Sequence, residues 1–258
     1  MEILGYIGAL CIGLVLGLTG GGGSILTVPI LVYLMSISPV TATAYSLFIV
    51  GTTSTFGAIH NYRKNLVDIK NGFIFAIPSF IAVYLTRKFI VPRIPEIIIE
   101  SPILITKNTF LMLFFAVIMI FGALSVLKKK SQDTNNEEKR NLILIGIQTF
   151  TIGIIIGLVG AGGGFLIIPS LILFAKLPMR KAVGTSLFII AMNSLVGFIG
   201  DVQNLVIDWL FLLTFSAISV VGIFLGMYLT KYTNESQLKK IFAYFVLVMA
   251  ATILLKEM

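Results

Sequence analysis

The sequence predicts an all-helical, polytopic membrane protein built from two repeats in opposite orientation, and three observations lead there. The chain is 57% hydrophobic and only 12% charged over 258 residues, whereas a soluble domain carries about 25% charged residues. A glycine-rich run, Gly17-Leu18-Thr19-Gly20-Gly21-Gly22-Gly23-Ser24, returns 140 residues later as Gly157-Leu158-Val159-Gly160-Ala161-Gly162-Gly163-Gly164. Pro29 and Pro169 keep that spacing, and so do Ser46-Leu47-Phe48-Ile49 and Ser186-Leu187-Phe188-Ile189; this is an internal repeat. Finally, Lys and Arg divide unevenly between the two sides of any membrane threading. With 60–70, 128–140, 176–181 and 231–240 on one side, only Arg87, Lys88, Arg93, Lys107 and Lys256 fall on the other, 14 against 5. The first side is therefore expected to be cytoplasmic and both termini outside.

Taken in order, the first repeat, 1–127, offers apolar segments at about 3–18, 24–36, 40–59, 71–91 and 108–127. The second, 141–258, offers them at about 141–158, 164–176, 181–200, 207–230 and 237–256. A crossing helix needs about 20 apolar residues, and the second segment of each half is too short. The first two segments of each half therefore read as a broken or re-entrant helical hairpin with the glycines at its tip, followed by three transmembrane helices. Two ordinary helices packed closely through glycine are the plainer alternative. Each half holds an odd number of crossings, so the second half is inverted, and 128–140 is a solvated cytoplasmic linker. Inverted repeats with matching helix breaks point to a secondary transporter with a midplane site.

The glycine runs break the helix, since each glycine costs about 1 kcal/mol relative to alanine, and they admit a close backbone or ligand. Where the helix restarts, its first amides have no partner within the helix and carry partial positive charge, which suits an anion. The expected substrate-binding residues are Gly20, Gly21, Gly22, Gly23 and Ser24 on one tip and Gly160, Gly162, Gly163 and Gly164 on the other. Small polar residues on the third segments, Thr43, Ser46, Thr52, Thr53 and Ser54, and Thr185, Ser186 and Asn193, can donate to an oxyanion without burying a charge. Ser46, Ser186 and Asn193 are the chosen members, although Ser and Thr often bond their own helix. His60 is a candidate proton relay, with an interfacial histidine as the plainer account.

Asp68 and Asp208 open the fourth segments and read as helix caps. Asp201 follows Gly200 and reads as a loop residue. Arg87, Lys88 and Arg93, near Glu96 and Glu100, form either an anion vestibule or an interfacial anchor. The single cysteine, Cys11, excludes an intramolecular disulfide and reads as a small buried hydrophobe. No acidic residue falls clearly mid-segment, which argues against a carboxylate cation site. The net charge of +8 is assigned to loop lysines near a membrane, with no nucleic acid. Neither an ATP-binding motif nor a dinucleotide fingerprint is present, so no cofactor, no metal and no enzymatic activity are expected. Met1-Glu2 lacks the positive region of a cleavable signal.

At its two glycine runs, with the helices Ala42-Thr43-Ala44-Tyr45-Ser46-Leu47-Phe48 and Ala182-Val183-Gly184-Thr185-Ser186-Leu187-Phe188 and with Asp208-Trp209, the chain resembles the sulfite exporter TauE/SafE family of permeases. Asp68-Ile69 is a weaker echo of the last motif, and the resemblance covers nearly the whole chain. It implies a cytoplasmic-membrane permease moving sulfite, sulfonates, sulfoacetate or thiosulfate, with partners limited to that anion, the bilayer and, as an open matter, a second copy in a homodimer. The stretch Pro92 to Lys107 has no counterpart in the second half and is expected to be a lid or a decoration. A transporter of another solute or cation, or a membrane partner of a sulfur-metabolism enzyme, is the competing reading.

Overall fold

The computed structural model describes residues 2–99, 105–127, 142–160, 162–202, 205–230 and 235–257. The linker, Glu100 and Ala161 lie outside them. Helix α1 (Glu2–Thr19) ends at the first glycine run, and α2 (Ser24–Pro29) restarts beyond it and widens into a π-helical turn at Ile30–Leu34. Then come α3 (Pro39–Arg63), α4 (Ile69–Leu85), a second π-helical turn (Thr86–Ile90) and α5 (Val91–Arg93). A small ladder of β1 (Ile97–Ile99) and β2 (Ile105–Thr106) leads into α6 (Lys107–Leu127). In the second half α7 (Leu142–Val159) ends at the other glycine run, followed by α8 (Gly164–Leu173), α9 (Met179–Val202), α10 (Trp209–Leu229) and α11 (Glu235–Glu257). The 92–107 stretch, expected as a lid or decoration, contains the antiparallel pairing of Ile97 with Thr106.

Local chemistry explains the boundaries. Asp68 caps α4 by accepting from the Asn71 amide at 2.9 Å, and Asp208 caps α10 from the Phe211 amide at 3.0 Å, as the sequence predicts. The Gly20 and Gly160 amides make the last helical bonds, to Leu16 and Ile156, both at 2.8 Å. At those two glycines φ swings to +74° and +71°, a left-handed turn that side chains with a Cβ resist. The π-helical turn at 86–90 is followed by Pro92, which cannot donate to a preceding carbonyl; at the corresponding position of the second half stands Tyr232.

The packing of one half returns in the other with partners exchanged. Helix α1 packs on α10 and α7 on α4, while α3 packs on α9 and α6 on α11. Gly13 and Gly17 of α1 touch Ser219 and Ile223 of α10, and Gly153 of α7 touches Ser79 and Ala82 of α4. The Asp68 amide donates to the Thr185 hydroxyl at 2.9 Å, and the Asp208 amide to the Tyr45 hydroxyl at 2.7 Å. Adding 140 to Asp68 gives Asp208, and subtracting 140 from Thr185 gives Tyr45. The core joins these layers through residues such as Ile12, Leu47, Phe115 and Phe215, all fully buried.

Large apolar side chains cover the outside, including Leu210, Phe121 and Val248. Among the described residues, three stretches, Ile69–Arg93, Met179–Val202 and Trp209–Leu229, are long and apolar enough to cross a bilayer. Cys11 corrects the expectation of burial. It is exposed, because Leu4, Ile7 and Cys11 share one face of α1 at helical spacing and that face turns away from the core.

Candidate functional site: two glycine tips and a buried ion pair

The two glycine tips meet inside the protein. A Cβ built on Gly21 would lie 2.6 Å from the carbonyl carbon of Gly164, and one on Gly164 would run into the Gly21 backbone. Gly20 to Ser24 and Gly160, Gly162, Gly163 and Gly164 are all buried. Gly20 abuts Val183 of α9, and Gly160 abuts Thr43 of α3; these contacts are again related by the 140-residue exchange.

The tips differ in how they are held. In the first, the Thr19 hydroxyl accepts from the Gly22 amide at 2.8 Å and donates to the Val15 carbonyl at 2.8 Å. Ser24 donates to the Gly21 carbonyl at 2.7 Å. Ser186 sits 2.6 Å from the Gly20 carbonyl and 2.8 Å from that of Val183, donating its proton between them. The second tip has Val159 and Gly164 where the first has Thr19 and Ser24. Ser46, the counterpart of Ser186, is buried with no hydrogen-bond partner for its hydroxyl. Gly162 and Gly163 also take left-handed φ angles of +64° and +71°, so among the described residues a backbone turn stands where the first tip uses the Thr19 and Ser24 hydroxyls.

Against the second tip lies a charge that sequence reasoning placed in an outer anion vestibule or an interfacial anchor. Arg87, in the π-helical turn after α4, is 0% exposed. Its Nη1 lies 3.1 Å from the Thr43 hydroxyl and 3.2 Å from Asp201 Oδ2. The second contact is an ion pair whose angles fall short of a hydrogen bond. Nη2 faces Gly160, and neither Nη2 nor Nε has a hydrogen-bond partner. Asp201 is likewise not in a loop: α9 continues to Val202 and holds Asp201 in its final turn, 5% exposed. The reason is mutual, since a guanidinium and a carboxylate each tolerate burial only when paired. Lys88, next along, lies instead over the Tyr84 and Phe89 rings, and Arg93 over Phe89.

Of the other expected residues, Asn193 is buried on α9, its Oδ1 accepting from Ser79 at 2.9 Å and its Nδ2 unpartnered. The neighbouring Ser194 hydroxyl, also unpartnered, would lie 3.0 Å from a Cβ on Gly162. Thr53 and Ser54 are buried without partners on α3, while Thr52 bonds its own helix. His60 is not brought to the tips: it occupies the last turn of α3 with its ring edge-on to Phe224. The sequence carried a signal for the missed pair. Arg87 lies within the 25-residue apolar stretch Ile69–Arg93, and an ionisable residue there demands a partner.

The fold and this junction define an all-helical membrane protein with two broken helices apposed in its interior. Comparison with known proteins adds a lineage. The family model of the sulfite exporter TauE/SafE matches residues 6–253, and the chain belongs to that family. It is 26% identical to a probable membrane transporter protein of Xylella fastidiosa (strain 9a5c), over 93% of this chain and 89% of the relative. It is 27% identical to the probable membrane transporter protein YunE of Bacillus subtilis (strain 168), over 83% and 81%. A further Bacillus subtilis relative, the probable membrane transporter protein YdhB, is 28% identical over 86% of each chain. No solved structure matches the chain. Family and relatives together support a membrane permease.

Proposed function

We propose that this permease is a secondary transporter of small sulfur-containing anions such as sulfite, sulfonates, sulfoacetate or thiosulfate. Its two halves are inverted repeats in the cell membrane, with both termini outside and 128–140 in the cytoplasm. The glycine tips approach from opposite faces and hold the anion by main-chain amides near the midplane, with Ser46, Ser186 and Asn193 around it. Alternating access rocks one half against the other.

The observation that carries this reading is the backbone contact of Gly21 with Gly164, among buried hydroxyl and amide groups that lack partners. Irregular backbone at membrane depth is tolerated where it is enclosed by protein or lines a polar cavity. The exchanged packing of the two halves is what a two-fold relation between them requires. A membrane potential favours exit of an anion from a negative interior by about 2.3 kcal/mol per charge per 100 mV, so export needs no other input. The test is flux of sulfur-35 sulfite and thiosulfate in liposomes holding the pure protein, under an imposed potential and then a pH gradient. Saturable flux that follows the potential is expected. Absence of flux for every sulfur anion overturns the reading.

A further inference from the structure

Arg87 is a buried cation only partly satisfied by its neighbours. A guanidinium offers five N–H donors in a planar fork. Here Nη1 serves Thr43 and approaches Asp201, while the three N–H groups of Nη2 and Nε have no hydrogen-bond partner. The fork touches the second glycine tip, with Gly160 directly against Nη2. Ser46, one turn along α3 from Thr43, adds a buried hydroxyl without a partner. These groups share one property: they donate to an oxyanion.

The other half shows what the fold needs at this place without the charge. Subtracting 140 from Asp201 gives Asn61, and adding 140 to Arg87 gives Met227. Those two residues also touch, with Asn61 Nδ2 donating to the Met227 sulfur at 3.7 Å. Val183, not a threonine, faces the first tip there. A neutral pair therefore fills the equivalent packing position, so the ion pair is not what closes this helix contact. Its charge serves another purpose.

We infer that Arg87 is an anion-binding residue of the permease, taking an oxyanion at the second glycine tip, with Asp201 as the internal anion that this ligand displaces. The inference rests on the proposed anion transport. Asp201 neutralises Arg87 through a single misaligned contact, which leaves the fork free for a bidentate partner. An incoming anion is repelled by Asp201, so tight binding and fast release are balanced against each other. Thr43 orients the guanidinium through Nη1. Because Met227 stands at the equivalent position, the charged donor reaches the anion from the side of the second tip alone, and the site between the tips is asymmetric.

The test is equilibrium binding of sulfur-35 sulfite and thiosulfate to the purified full-length protein, with sulfate, phosphate and chloride as competitors. The variants are Arg87→Met, Arg87→Lys, Asp201→Asn and the double variant Arg87→Met/Asp201→Asn, which copies the Met227–Asn61 pair. Arg87→Met and the double variant are expected to weaken binding about ten- to hundredfold, the worth of a charged hydrogen-bonding partner. Arg87→Lys is expected to fall between, because the charge stays and the fork is lost. Asp201→Asn is expected to bind several-fold more tightly and to turn over more slowly, a split that a purely structural pair does not produce. Should Arg87→Met fail to fold, the double variant and Asp201→Asn decide the matter.

Sulfite binding of wild-type strength in the folded double variant, with Asp201→Asn unchanged, overturns the role of Arg87 and leaves the sulfur-anion permease standing. Arg87-dependent binding of phosphate or chloride, with sulfite and thiosulfate ignored, keeps the role of Arg87 and overturns the sulfur substrate. A wild-type protein that binds none of these anions overturns both.

Discussion

The two glycine tips share a sequence pattern at a spacing of 140 residues and are held in different ways. The first is tied by Thr19, Ser24 and Ser186, whose hydroxyls engage the backbone at Gly20, Gly21 and Gly22. The second has no hydroxyl at the positions of Thr19 and Ser24, and it faces Arg87 and Thr43. The two tips thus share matching packing partners while their polar groups differ. The first tip uses its hydrogen bonds on itself, and the second stands beside a cation with donors to spare.

The largest effect is expected where the tips touch. Gly164→Val places branched carbons into the Gly21 backbone. Overpacking costs about 1–3 kcal/mol or more, and transport should fall at least about tenfold by liposome flux. Gly146, where a Cβ would meet nothing within 4 Å, is the control: Gly146→Ala should retain wild-type flux.

Next comes the buried pair. Arg87→Met alone leaves Asp201 buried and unpaired, a loss of about 3–5 kcal/mol. Adding Asp201→Asn should restore most of that stability, measured as thermal unfolding in detergent. A double variant as unstable as Arg87→Met would show that the neutral pair of the other half is not interchangeable with this one.

Smaller effects separate the matched serines. Ser186→Ala removes the bond to the Gly20 carbonyl and should lower stability by about 1 kcal/mol. Ser46→Ala removes a hydroxyl without a protein partner, so its stability should stay within about 0.5 kcal/mol of wild type, and any loss should appear in transport. Equal destabilisation by the two would erase the distinction between the tips. Thr19→Val gives the first tip the residue of the second and frees the Gly22 amide, which should cost about 1 kcal/mol or less.

Much of the helical architecture was legible because its signals are local. The glycine runs stop α1 and α7 where the repeat places them, and Asp68 and Asp208 cap their helices. The meeting of the tips was foreseeable from two broken helices in matching positions. The Arg87–Asp201 pair was not foreseen because each residue was judged beside its sequence neighbours. Arg87 preceded Lys88 and Arg93 and looked interfacial, and Asp201 followed a glycine and looked like a loop. Only contact between α9 and the turn after α4 shows them as partners. Cys11 failed for a related reason: a face of one helix is assigned to core or lipid only by the helix packed against it.

The most direct test of a site at the meeting tips is the initial rate of sulfur-35 sulfite movement in liposomes, measured side by side for wild type and Gly164→Val at equal reconstituted amounts. The account predicts saturable flux in the wild type and its loss in a variant that still folds and inserts. Wild-type flux through Gly164→Val would contradict it, and would move the anion path away from the glycine tips.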